Sequence, residues 1–196
     1  MKISLVFLVF LFYLWANISA ALEETSYRVL SANQIYEIRE YDDRLAVQTN
    51  QKNGQNDAFR KLFKYISGSN TSSVKIDMTT PVTQSVKIDM TAPVTQKFQD
   101  GKLVMNFFLP RKFQLKTAPQ PLSTDLSIVV IKGGKYAVMK YSGRSTFRNF
   151  EKHSKLLLKA LSANKIKAID YPIKATFNGP LTPFFVRRNE AMIRID

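Results

Sequence analysis

The feature that most constrains this chain is an eleven-residue stretch that occurs twice in succession. VKIDMTTPVTQ (Val74–Gln84) is followed by Ser85 and then VKIDMTAPVTQ (Val86–Gln96), with only Thr80 against Ala92 different. Apolar and polar residues alternate in both copies, the period of a strand buried on one face, because successive side chains leave the pleat on opposite sides. Pro81 and Pro93 lack the N–H that a ladder needs. Each copy is therefore expected to be a short strand ending in a proline-marked bend. One duplication is not an array, so a solenoid is not indicated. A slipped duplication that preserves face parity accounts for the pair without any functional role.

Residues 1–21 stand apart from the fold. Lys2, an apolar run from Leu5 to Ala16 and the small residues up to Ala21 have the order of a secretory signal, the alternative being an uncleaved anchor. Residues 22–196 then form one domain of ordinary size, exported to a periplasm or secreted. The chain has no cysteine, so disulfides and thiolate metal sites are excluded. Charge is lopsided. Residues 1–100 hold 11 basic and 10 acidic side chains, and residues 101–196 hold 18 and 5, giving +1 and +13. Such a surplus suits an anionic surface or ligand, and export argues against nucleic acid.

Tyr27–Leu30, Ile35–Arg39 and Leu45–Thr49 read as strands, with Asp42-Asp43 as a turn. Phe59, Leu62, Phe63 and Ile66 recur at helical spacing, with Asn56 placed as cap and Gly68 as stop. Asn70-Thr71-Ser72 would be a glycosylation acceptor in a eukaryotic secretory host. The duplicated strands and Leu103–Leu109 complete a first half. After a Pro-containing linker (112–124), Leu126–Ile131 and Tyr136–Tyr141 are expected to pair about a Gly133-Gly134 hairpin turn. A second helix follows, capped by Ser145 or Thr146, with Phe147, Phe150, Ser154, Leu157 and Leu161 on one face. Strands Tyr171–Phe177 and Ala191–Ile195 close the chain. The fold class is α+β: a distorted antiparallel β-barrel of two pseudo-repeated ββαββ halves with two helices.

Groups able to do chemistry are few. The single histidine, His153, falls at the border of the second helix's apolar face. No second histidine, cysteine, carboxylate cluster, nucleophile elbow or phosphate loop accompanies it, so the chain reads as non-enzymatic. Asp77 and Asp89 lie on the polar face of the repeat. Arg148, Lys152, Lys155 and Lys159 form a basic ridge on the second helix. It is either a solvated face or a dock for anionic lipid or polymer.

Tyr36–Tyr41 (YEIREY), Ala58–Leu62 leading to Tyr65–Asn70, the duplicated KIDMTxPV stretch and Phe184–Glu190 (FFVRRNE) occur in this order across nearly all of residues 22–196. Together they resemble the SOUL haem-binding proteins. The resemblance implies a barrel with two helices and non-covalent haem or tetrapyrrole binding in a mostly apolar pocket beside the first helix. It places Arg60 at a propionate, and Phe59, Phe63, Met78 and Met90 are the side chains expected against the macrocycle. Two departures stand out. Glu40 holds the position where some members carry a histidine ligand, so no strong axial ligand is expected and His153 is only a remote candidate. Thr182 falls where another member's basic group meets a propionate, and Arg187 is the nearby substitute. An anionic membrane surface met through the second helix is the alternative partner.

Overall fold

A computed structural model describes residues 22–71 and 85–196. The leader and the whole first repeat copy, Asp77 and Met78 included, lie outside the described residues. The strands are β1 (Glu23–Glu24), β2 (Arg28–Ala32), β3 (Glu37–Tyr41) and β4 (Arg44–Asn50). Helix α1 (Gln55–Ile66) is followed by β5 (Asn70–Thr71), β6 (Thr91–Ala92), β7 (Val94–Gln99), β8 (Lys102–Phe108) and β9 (Gln120–Pro121). Then come β10 (Ser127–Ile131), β11 (Gly134–Tyr141), helix α2 (Phe147–Ala163), β12 (Ile173–Thr176) and β13 (Asn189–Arg194).

The expected hairpin at Gly133-Gly134 is not formed. β10 pairs with β4, and β11 pairs with β3 and β13. Arg44 stands opposite Ile131 and Tyr41 opposite Gly134, so one register runs through both pairs. β3–β4 and β10–β11 are thus two long antiparallel strands, each bent once at a shared corner. Gly133 permits the corner, since a Cβ there would strike the Tyr41 carbonyl oxygen, and its N–H donates to Asp43 Oδ1 at 2.9 Å. The main sheet runs β10-β4-β8-β7-β12-β13-β11-β3-β2. It curls until both ends of the path from β4 to β11 lie on the same bent ribbon, a distorted barrel. Exchanging β3-β4-α1-β7-β8 with β10-β11-α2-β12-β13 turns this order, β2 aside, into itself reversed. The two expected halves are related by a rough two-fold between the corner and the β7–β12 pair.

Both helices pack on one face of the sheet. Ala58, Leu62, Tyr65 and Ile66 seat α1 on Val47, Met105 and Phe107. Phe150, Leu157 and Leu161 seat α2 on Ala137, Met139 and Ile193. Thr146 caps α2, its hydroxyl accepting from Asn149 N–H at 3.2 Å. The N-cap of α1 is Gly54 rather than Asn56, without a side-chain bond.

The second repeat copy keeps its faces but not its ladder. Ile88 is buried between exposed Lys87 and Asp89, yet Ser85–Met90 is not strand. Its backbone is held by α1 and its exit instead. Ile88 N–H donates to Ile66 O at 2.8 Å, and Val86 exchanges two bonds with the Asn70 side chain. Asn70 Nδ2 also donates to Tyr65 O, so this buried amide is a structural tie and not a free glycan acceptor. Pro93 does end a strand, the two-residue β6, and β7 starts just after it, the Ala92–Pro93 bond being cis.

The opposite face of the sheet encloses charge. Arg39 and Glu190 are both fully buried. The Arg39 guanidinium donates to Glu190 at 2.9 and 3.2 Å, to Glu37 at 2.7 Å and to Tyr41 at 3.1 Å. Burial works against the Arg39 charge, but the Glu190 bonds and charge prevail and raise its pKa. Arg188 adds two bonds to the same carboxylate. On the helix-bearing face, Lys174 is fully buried with no hydrogen-bond partner at Nζ, and burial pulls its pKa down to about 8.

Glu190→Gln leaves the buried Arg39 with only the partly exposed Glu37 as counter-ion and is expected to cost about 3 kcal/mol in urea unfolding. The Arg39→Met/Glu190→Leu pair should recover most of that loss; an unchanged midpoint for Glu190→Gln would contradict the assignment. For Lys174, the folded state gives up its proton at lower pH than the unfolded chain, whose lysine titrates near 10.5. Stability should therefore rise between pH 8 and 10.5 by roughly 2–4 kcal/mol. Lys174→Met should be more stable at neutral pH, and its advantage should shrink across that window. A gap independent of pH would contradict the buried ammonium.

Candidate functional site

A cleft of about 940 Å³ lies on the helix-bearing face, over the β7–β12 pair and near the two-fold. That volume is at the upper end of the roughly 300–1,000 Å³ of small-molecule and cofactor sites. Its floor is Val94 and Gln96 of β7, Met105 of β8 and Thr176 of β12. These side chains share a face by strand parity: Gln96 is opposite Met105 on one side, and Thr176 opposite Val94 on the other.

One wall is α1. Its apolar arc is wider than the sheet can cover, so Phe59 and Phe63 keep 37% and 48% exposure and face the cleft. Their rings lie 6.2 Å apart at 12°, and Phe59 is braced edge-on by Phe107 at 5.2 Å. The other wall is the start of α2, with Ser145 and Thr146, and the 177–184 loop. Met90, just before β6, also contributes to the lining.

Two guanidiniums border this cleft. Arg187 donates to Thr182 O at 2.7 Å and Pro180 O at 2.6 Å, shaping the loop. Arg144 lies over the Phe184 ring at 5.4 Å. Gln96 Oε1 is buried in the floor without a partner, leaving one acceptor for a donor from a ligand or water. Ser145 and Thr176 hydroxyls bond to each other at 2.8 Å. Lys174, opposite Gln96 on the same face, is shut off from the cleft.

Phe59, Phe63, Met90 and Arg187 are thus brought together, and Met78 lies outside the described residues. Arg60 is exposed on α1 and does not line the cleft. His153 is not in it either. Its ring stacks on Tyr141 at 4.1 Å and 8°, and Nδ1 lies 2.7 Å from Asn149 O. Among the described residues no cluster of three His, Cys, Asp or Glu could hold a metal ion. Sequence reasoning missed Arg144, Gln96, Met105 and the 177–184 loop. The signal available was the two-fold itself, which puts the space between two pseudo-equivalent helices over the β7–β12 pair.

No curated protein matches the chain. Solved structures with the same fold include a Listeria innocua protein described as a hydrolase, with TM-score 0.55 and 8% identity, covering 85% of this chain and 94% of that one. The EcmrR C-terminal domain aligns with TM-score 0.58 and 10% identity over 87% and 98%. At such identities the likeness extends to the fold alone. The family described as "SOUL heme-binding protein" matches residues 22–194. With that match spanning nearly the whole of the described fold, the chain belongs to the SOUL heme-binding family.

Proposed function

We propose that this is an exported, non-enzymatic protein that binds haem or another tetrapyrrole in the cleft between α1 and α2. The observation that carries it is the wall of two nearly parallel phenylalanine rings facing a cleft of about 940 Å³. Aromatic faces suit a flat macrocycle, whose area they cover at low entropic cost. Arg144 and Arg187 are the cations within reach of its carboxylates, through charge-assisted hydrogen bonds. Bound haem would supply a visible chromophore, and Met90 and Met105 would be the only histidine-, cysteine-, tyrosine- or methionine-type donors to its iron among the described lining residues. Binding without a strong axial bond follows. The Ser145 and Thr176 hydroxyls of the cleft bond to each other, and no histidine, aspartate or glutamate is among its described lining residues.

Haemin titration into the protein starting at Leu22 should give a saturable, shifted Soret band. Arg144→Ala and Arg187→Ala should each weaken affinity about fivefold, near 1 kcal/mol. His153→Ala and Arg60→Ala should leave affinity and band position unchanged. An unshifted band contradicts haem binding, and loss of the shift in His153→Ala moves the site to the Tyr141 side of α2.

A further inference from the structure

The 178–186 loop carries the two most exposed large apolar side chains of the described structure, Leu181 and Phe185. Leu181 is 97% exposed, Phe185 67%, Val186 59% and Phe184 51%. They are held outward by a fastened backbone rather than left loose. Besides the two Arg187 bonds, Phe184 O accepts from Gly143 N–H at 2.9 Å, and Asn178 Oδ1 accepts from Arg188 N–H at 2.6 Å. The turn Phe184–Val186 buries none of its residues. Held by these bonds, the loop presents an apolar tip.

Basic side chains adjoin that tip. Arg144 covers one side of Phe184, and exposed Arg148 and Lys152 continue along α2 from there, with Lys155 and Lys159 beyond. None of these five appears in an ion pair among the described residues. An apolar tip beside a cationic ridge is the pattern of peripheral attachment to anionic lipid. No helix of the described residues is long and apolar enough to cross a membrane, which fits attachment at the surface. A second copy is a poorer occupant, because residues 101–196 carry +13 and would meet like charge.

We propose that the 178–186 loop inserts into an anionic lipid bilayer while the α2 ridge rests on the headgroups. Leu181 and Phe184 also line the cleft, so its mouth would open at the membrane, where a lipophilic ligand could be exchanged. The exchange rests on the tetrapyrrole reading above; the docking does not.

The chain has no cysteine, so Leu181→Cys gives a single labelling site for an environment-sensitive fluorophore. Lys135→Cys, at the opposite end of β11 from Gly143, is the control. The apolar leader must be absent, so the protein begins at Leu22. With phosphatidylcholine vesicles holding about 30% phosphatidylglycerol, the label at 181 should shift to the blue and that at 135 should not. Pure phosphatidylcholine, or about 0.5 M salt, should weaken binding severalfold. Phe185→Ser/Val186→Ser should reduce vesicle affinity about tenfold with unchanged haemin affinity in solution. A silent label at 181 on vesicle-bound protein would overturn insertion, leaving attachment by the ridge alone. Absence of vesicle binding would overturn docking altogether. A blue shift that grows with protein concentration without lipid would assign the loop to a second copy. Failure of haemin binding alone would remove the exchange and leave the docking.

Discussion

The buried pair of Arg39 and Glu190 joins residues 151 positions apart inside the curled sheet. Two fully buried ions are tolerated only where nearly every donor and acceptor is met, and here they are. Glu190 receives Arg39 and Arg188, while Arg39 also meets Glu37, Tyr41 and the Tyr27 ring at 4.1 Å. Such a pair contributes little net stability over an apolar replacement, but breaking it on one side is costly. Its effect is to bind β3 to β13, flanking β11, and to reject arrangements that separate them. The opening YEIREY and closing RRNE stretches are therefore two sides of one contact. Their Glu37, Arg39, Tyr41, Arg188 and Glu190 hold the barrel together, while Arg187 lines the cleft.

Sidedness was legible in the sequence; pairing partners were less so. Alternation in Val86–Met90 correctly placed Ile88 inward, because parity survives in any extended segment. Whether that segment joins a ladder depends on a neighbour of matching length, and Ile66 and Asn70 offered bonds first. Gly133-Gly134 looked like a hairpin turn because diglycine meets that need locally. What the glycine serves is close packing against the Tyr41–Asp43 backbone, a contact with residues some 90 positions earlier. The ββαββ duplication and both helices were readable, since helical periodicity is local, as was the Thr146 cap of α2, while the Asn56 cap expected for α1 was not borne out.

The candidate site was legible in part for the same reason. Phe59 and Phe63 stood out as apolar residues at helical spacing, and periodicity alone would send both to the core. The sheet accommodates Ala58, Leu62, Tyr65 and Ile66, and the two rings are left facing the space between the helices. Arg144, Gln96 and Met105 converge there only through the β7–β8 and β7–β12 pairings and the 177–184 loop. No one-dimensional pattern contains that convergence. Arg60 illustrates the converse: a position carried over by resemblance is exposed on α1 and does not line the cleft.

The central claim is that the cleft between α1 and α2 holds the tetrapyrrole, and methionine methyl resonances test it directly. Met90 and Met105 line the cleft, whereas Met139 and Met192 are buried in separate clusters beneath α2 and on the opposite face of the sheet. In methyl-labelled protein, substoichiometric paramagnetic haemin should broaden Met90 and Met105 first and leave Met139 and Met192 sharp. Broadening led by Met139, the methionine beneath α2, or uniform loss across all four, would contradict the cleft as the binding site.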